Sequence, residues 1–127
     1  GISGAAGLFS TAGDISKLVN MLINNGKIGS KQFISAKTIE TFLTKDRFNN
    51  GLGWMMDPAN SFIRDAPEGS FGHTGFTGTS ISVVPYRKLS VILLINRQNT
   101  GLSDAGEYYS VSPVRLQVFN AAMRHLK

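Results

Sequence analysis

His73 and Thr74 lie side by side in the run Phe71-Gly-His-Thr-Gly-Phe-Thr-Gly78. An imidazole next to a hydroxyl can move a proton and hydrogen-bond a polar substrate group. The glycines on either side let a ligand come close to the backbone. A His followed by two small residues at the start of a strand is one way to line a hydrolase cleft. The run carries no nucleophile of its own.

The rest of the chain narrows the chemistry. The second histidine, His125, falls in the last turn of a C-terminal helix, where positive charge suits the helix dipole, and reads as a surface residue. There is no cysteine, which excludes thiol catalysis, disulfides and Cys-based zinc sites. One candidate His without a neighbouring His or carboxylate pair makes no metal site, so no cofactor or metal is expected. The eight acidic residues are dispersed, and Asp14 reads as a helix-start residue. No Gly-x-Ser-x-Gly elbow occurs.

At 127 residues the chain is one domain or part of one. Its net charge of +5 is scattered, and the only adjacent basic pair is Arg87-Lys88. That argues against a nucleic-acid surface, where basic residues cluster around aromatics. No run approaches the roughly 18 apolar residues of a membrane span. No leader pattern opens the chain, so in an exported parent any signal would lie upstream of Gly1.

The elements that must position His73 can be read from the sequence pattern. The small, Gly-rich residues 1–10 form a tight loop entering a helix. Residues 11–25 then read as that helix, with Thr11 as cap, Ile15, Leu18, Val19 and Leu22 on one face, and Gly26 as stop. A second helix runs from the cap Ser35 to Leu43. Asn49-Asn50-Gly51 is a turn, and residues 52–56 form a short strand. Residues 57–70 are loop-rich, with a brief strand at Phe62-Ile63. Strands follow at 71–75 and 77–84, the latter half-buried with Ile81 and Val83 on one face and Ser80 and Ser82 on the other. After a turn at Pro85, residues 89–95 are apolar on both faces, as in a central strand, and pair antiparallel with 77–84. Residues 97–112 are a long polar loop. Ser112-Pro113 opens a final helix with Leu116, Phe119, Met123 and Leu126 as its apolar stripe and Lys127 beside His125 in its last turn. The fold class is α+β, with helices packed on an antiparallel sheet.

Four motifs and a C-terminal helix, in order, resemble one family. Ala6-Gly-Leu-Phe-Ser-Thr-Ala-Gly-Asp14 is similar to the Gly-Leu-x-Ser-Thr-x-x-Asp helix start of serine β-lactamase-like and penicillin-binding proteins. Gly51-Leu-Gly-Trp54 resembles their short strand ahead of the active-site edge. Gly72-His-Thr-Gly-Phe-Thr-Gly78 resembles their third motif, Lys-Thr-Gly in many members and His-Thr-Gly in many esterase and D-peptidase relatives. Val91-Ile-Leu-Leu-Ile-Asn-Arg97 is similar to the strand that follows, and Pro113 onward to the C-terminal helix.

The resemblance implies a β-lactamase/transpeptidase-like fold and serine acyl transfer. In it a Ser-x-x-Lys helix start supplies the nucleophile and its base, and a Tyr-x-Asn or Ser-x-Asn loop supplies a second proton-transfer group. Neither stands here: no Ser has Lys at the third place, and Tyr108 leads to Ser110. Residues 1–127 therefore read as the C-terminal segment of such a domain, inactive alone. His73 and Thr74 would position a substrate carboxylate, the Phe76 N–H would supply half of an oxyanion hole, and Gly75 would let the acyl group pass. The substrate implied for the full protein is a peptide, an ester or a β-lactam-like small molecule, and His in place of Lys weakens β-lactam turnover and leans toward peptides or esters. Trp54, Tyr108 and Tyr109 are candidate cleft walls. The alternative is a non-catalytic binding or regulatory module of the same fold. A third is a self-contained small α+β protein without an enzymatic parent, which would be a monomer with a closed core. The fragment reading predicts a partner carrying the missing half, or self-association, and a parent that works in the periplasm or cell envelope or is secreted.

Overall fold

A computed structural model describes residues 6–125. The expectations for Gly1, Gly4, Leu126 and Lys127 fall outside the described residues. Helix α1 (Ala12–Ile23) begins at Thr11, whose hydroxyl accepts the Asp14 backbone N–H at 3.2 Å. That satisfies one of the open donors of the first turn. The chain leaves α1 through Asn25 and Gly26, both with positive φ. Gly26 is required there, since a β-carbon would stand 1.9 Å from the Ile34 carbonyl oxygen. Strands β1 (Lys27–Ile28) and β2 (Lys31–Gln32) form a separate two-stranded hairpin. Helix α2 (Ala36–Phe42) is capped by Ser35 in the same way as α1.

The main sheet holds β3 (Asn50–Gly51), β4 (Trp54–Met55), β5 (Phe71–Thr74), β6 (Ser80–Val84) and β7 (Leu89–Leu93). Its strands lie in sequence order and every neighbour pairs antiparallel. The register sets His73 opposite Ile81 and Ile81 opposite Ile92. Short 3-10 turns at Pro85–Arg87 and Arg97–Thr100 flank β7, and α3 (Ser112–His125) ends the described chain. The α+β arrangement expected from the sequence is the one found.

The core joins both layers. Val19, Met21 and Leu22 of α1 and Ile39 of α2 cluster with Met56, Phe71 and Val83. Removing such side chains from water is the main favourable term for a fold of this size. Phe62, Ile63, Val84 and Phe119 are buried as well.

Several expectations are corrected. Leu18 is exposed and Met21 takes a buried place in α1. Asn50 and Gly51 form a strand rather than a turn, and the reversal falls at Leu52-Gly53, where Gly53 has positive φ. Phe62 and Ile63 are buried in a run of turns, not a strand. The Phe62 carbonyl is satisfied by the Ser82 hydroxyl at 2.6 Å, so no ladder is needed to meet it. That same bond lets Ser82 be buried, and β6 is covered on both faces rather than one. Strand β7 is an edge of the sheet among the described residues, not a central strand. Its two apolar faces have another cause: α1 and α3 both pack against it.

Candidate functional site

Strand β5 carries His73 and Thr74 to the end of its ladder, where the chain turns back. Gly75 to Gly78 is a tight turn closed by the Gly78 N–H on the Gly75 carbonyl at 3.1 Å. A second bond, from the Gly75 N–H to the Thr79 carbonyl at 2.8 Å, ties its base before β6 begins. Gly75 leaves the Thr79 side chain its place: a β-carbon there would stand 2.2 Å from the Thr79 hydroxyl oxygen, which would have to turn away.

His73 is exposed. Its Nδ1 lies 2.8 Å from the Thr74 carbonyl oxygen. A carbonyl only accepts, so Nδ1 carries the proton of this bond. Thr74 and Gly75 are half-buried, and Phe76 is exposed at the tip of the turn. Among the described residues no acceptor meets the Phe76 N–H.

The opposite side of the turn is fully engaged. Arg115, in the first turn of α3, donates from Nη2 to the Gly75 and Thr79 carbonyls at 3.0 and 3.1 Å, and from Nε to the Gly78 carbonyl at 3.3 Å. The backbone N–H of Arg97 takes the Thr77 carbonyl at 2.8 Å. Burial, and then the charge of Arg97, lowers the Arg115 pKa. No ion pair with a carboxylate neutralises Arg115 among the described residues. Arg97 spreads over the Phe76 and Tyr108 rings, and its buried Nε–H has no acceptor among the described residues.

Of the residues singled out in the sequence, His73, Thr74, Gly75 and Phe76 follow one another, and Tyr108 joins them through an edge contact with Phe76. Tyr109 is exposed in the following loop. Trp54 sits against the core instead, edge-on to Phe71 at 5.0 Å. The sequence reading passed over Arg97 and Arg115. One signal for Arg115 was available: a cation in the first turn opposes the helix dipole and needs a compensating partner. Among the described residues no cluster of His, Cys, Asp and Glu could hold a metal ion, and no helix is long and apolar enough to cross a membrane.

The three helices and the antiparallel sheets are consistent with a partial β-lactamase-like fold, and comparison with known proteins gives the family. The profile of the family described as Beta-lactamase matches residues 1–114, and the chain belongs to that family. A protein of Escherichia coli O157:H7 named "Putative D-alanyl-D-alanine carboxypeptidase" is 36% identical over 110 residues, covering 82% of this chain and 25% of that protein. Its counterpart in Escherichia coli K12 is 34% identical over 110 residues, with the same coverage. An N-acetylmuramyl-L-alanine amidase of Bacillus subtilis strain 168 is 34% identical over 113 residues, covering 84% of this chain and 26% of that protein. The chain thus spans about a quarter of the length of these relatives.

Proposed function

We propose that residues 1–127 form one wall of the active site of a serine acyl-transfer hydrolase, with the nucleophile contributed by chain outside these residues. The observation that carries this reading is the turn at Phe76. The carbonyls of Gly75, Thr77, Gly78 and Thr79 are tied back while the Phe76 N–H meets no acceptor among the described residues. An open, fixed backbone donor is what a developing oxyanion needs. His73 and Thr74 stand one turn away on the same strand end and would hold the polar group of the substrate beside the scissile carbonyl. The His73 imidazole would pass a proton there.

The substrates are amides or esters of acylated amino acids. The names of the relatives support this class, since D-alanyl-D-alanine and N-acetylmuramyl-L-alanine are both joined through an amide bond. The same names support a cell-envelope setting.

Two measurements test the proposal. The complete reading frame should carry Ser-x-x-Lys outside residues 1–127. A fluorescent penicillin should label that complete protein stoichiometrically on serine and leave residues 1–127 unlabelled. Serine labelling of 1–127 alone overturns the division of the site. A complete frame without Ser-x-x-Lys replaces the hydrolase by a non-catalytic binding module of the same fold.

A further inference from the structure

We propose that Arg115 is the positioning residue of the oxyanion donor, fixing and polarising the peptide group whose N–H belongs to Phe76. The proposal rests on the hydrolase reading for its catalytic half only.

The geometry is specific. The carbonyl of Gly75 and the N–H of Phe76 are the two ends of one peptide unit. Such a unit is planar, and in the trans form its C=O and N–H point in opposite directions. No cis peptide occurs among the described residues. Arg115 Nη2 holds the Gly75 oxygen at 3.0 Å, on the α3 side of the turn. The Phe76 N–H is thereby aimed away from the Arg115 guanidinium, and Phe76 itself is exposed.

The hold is redundant, which separates it from an incidental contact. The same guanidinium takes the Thr79 and Gly78 carbonyls, and the Arg97 backbone takes that of Thr77. Four of the five carbonyls from Gly75 to Thr79 are pinned. A turn held at four points reorganises little when charge appears at its amide, and this is the condition for electrostatic stabilisation of a transition state.

The hold is also cationic. Hydrogen bonds from an ionised donor are about twice as strong as neutral ones. A bond at one end of an amide strengthens the bond at its other end, by roughly 10–30% in condensed phases. The charge of Arg115 therefore acts on the substrate through the Gly75–Phe76 peptide, without touching the substrate. Lys would keep the charge but lose the planar fork that spans three carbonyls. Gln would lose both.

The test compares Arg115→Lys and Arg115→Gln in two arms. In the first, nitrogen-15 NMR follows the Phe76 amide, with the strand amides of His73 and Ser82 as internal reference. The Phe76 proton is expected to move upfield in the order wild type, Lys, Gln, while the strand amides stay in place. In the second, the protein from the complete reading frame hydrolyses a p-nitrophenyl ester. Removing one oxyanion donor slows catalysis by about a hundredfold or more, so weakening one by Arg115→Gln should lower kcat by about tenfold. An interaction made only in the transition state leaves KM within about twofold. The Lys variant should fall between.

A Phe76 amide that does not move in a folded variant overturns the proposal, as does an amide that moves while kcat holds. A wild-type protein without acylation or turnover removes the hydrolase reading itself, and the amide arm then decides alone whether Arg115 fixes the donor. If Arg115→Gln fails to fold, the Lys variant gives the same two readings.

Discussion

Arg97 lies over the ring of Phe76, its guanidinium carbon 4.9 Å from the ring centre. The Tyr108 ring stands nearly perpendicular to Phe76 at 5.7 Å and lies 5.6 Å from the same guanidinium. One cation and two rings thus join three segments: the turn after β5, the 3-10 turn that follows β7 and the loop before α3. Phe76 is two-thirds exposed, and the ring that meets it, Tyr108, comes from the distant loop.

That cluster predicts coupling between residues 32 positions apart. Phe76→Ala and Tyr108→Ala should each destabilise the fold, and the double variant should lose less than the sum. The expected coupling is about 0.5–1.5 kcal/mol from the edge contact. Urea unfolding of the four proteins gives the number. Strict additivity would mean that the rings meet without holding the loop.

Gly72 and Gly75 should respond differently to alanine. A β-carbon on Gly72 would lie 2.1 Å from the Ile81 carbonyl oxygen and 2.7 Å from the Phe62 ring. The first obstacle is the backbone of the paired strand, which cannot rotate away. Gly72→Ala should cost about 1–3 kcal/mol, as overpacking of a tight core does. At Gly75 the nearest atom is the Thr79 hydroxyl, a side chain that can turn. Gly75→Ala should therefore cost less in stability while displacing the turn. Equal midpoints in urea for the two variants would contradict this.

Ser82 should be worth more than a polar residue in an apolar strand usually is. Its hydroxyl gives the Phe62 carbonyl a bond of 2.6 Å, and both residues are buried. Ser82→Ala leaves that carbonyl buried and unpaired, at about 1–3 kcal/mol. Ser82→Thr should recover part of the loss. Thermal melts of the three proteins are the check, and an Ala variant as stable as wild type would show that water replaces the hydroxyl.

These residues also mark how far the sequence could be read. The capped helices at Thr11 and Ser35 and the 80–84 with 89–93 hairpin were legible, because each rests on local chemistry and period. The His-Thr-Gly turn was legible as a motif. What stayed hidden depends on partners distant in sequence. Asn50-Gly51 reads as a turn until Trp54 and Met55 pair with it. The alternation of β6 suggests one wet face until Ser82 finds Phe62, 20 residues away. Arg115 reads as a surface cation until the turn 36 to 40 residues upstream is seen beneath it.

Acid should loosen the start of α1. The Asp14 carboxyl is held below its ordinary value of 3.8, first by the bond from Lys17, then by that from Thr11, then by the Lys17 charge. A depressed folded value means that this stabilisation is whole above the ordinary carboxylate value and fades as pH falls through the lower, folded one. The group is fully exposed, so the effect is small and screened by salt. Asp14→Asn should flatten the pH dependence of melting below about pH 4. Thr11→Ala should cost about 1 kcal/mol at all pH values, since its hydroxyl also caps the helix. A wild-type melting curve that superimposes on that of Asp14→Asn throughout acid would remove the assignment.

Residues 1–127 by themselves should self-associate through β7. The strand ends the sheet among the described residues, so its outer row of N–H and C=O groups faces no neighbouring strand there. The helices α1 and α3 pack against the strand and leave that row uncovered by any strand. An ordered, apolar edge of five residues is a template for another strand. Two copies pairing edge to edge would satisfy both rows at once, and such pairing closes as a symmetric dimer. Sedimentation velocity should show a species that grows with concentration. Val91→Lys, at the centre of the strand, should shift it toward monomer, because a charge on an edge opposes pairing with a second copy of itself. A monomer at every concentration would mean that the edge is already covered, and the Lys variant would then change nothing.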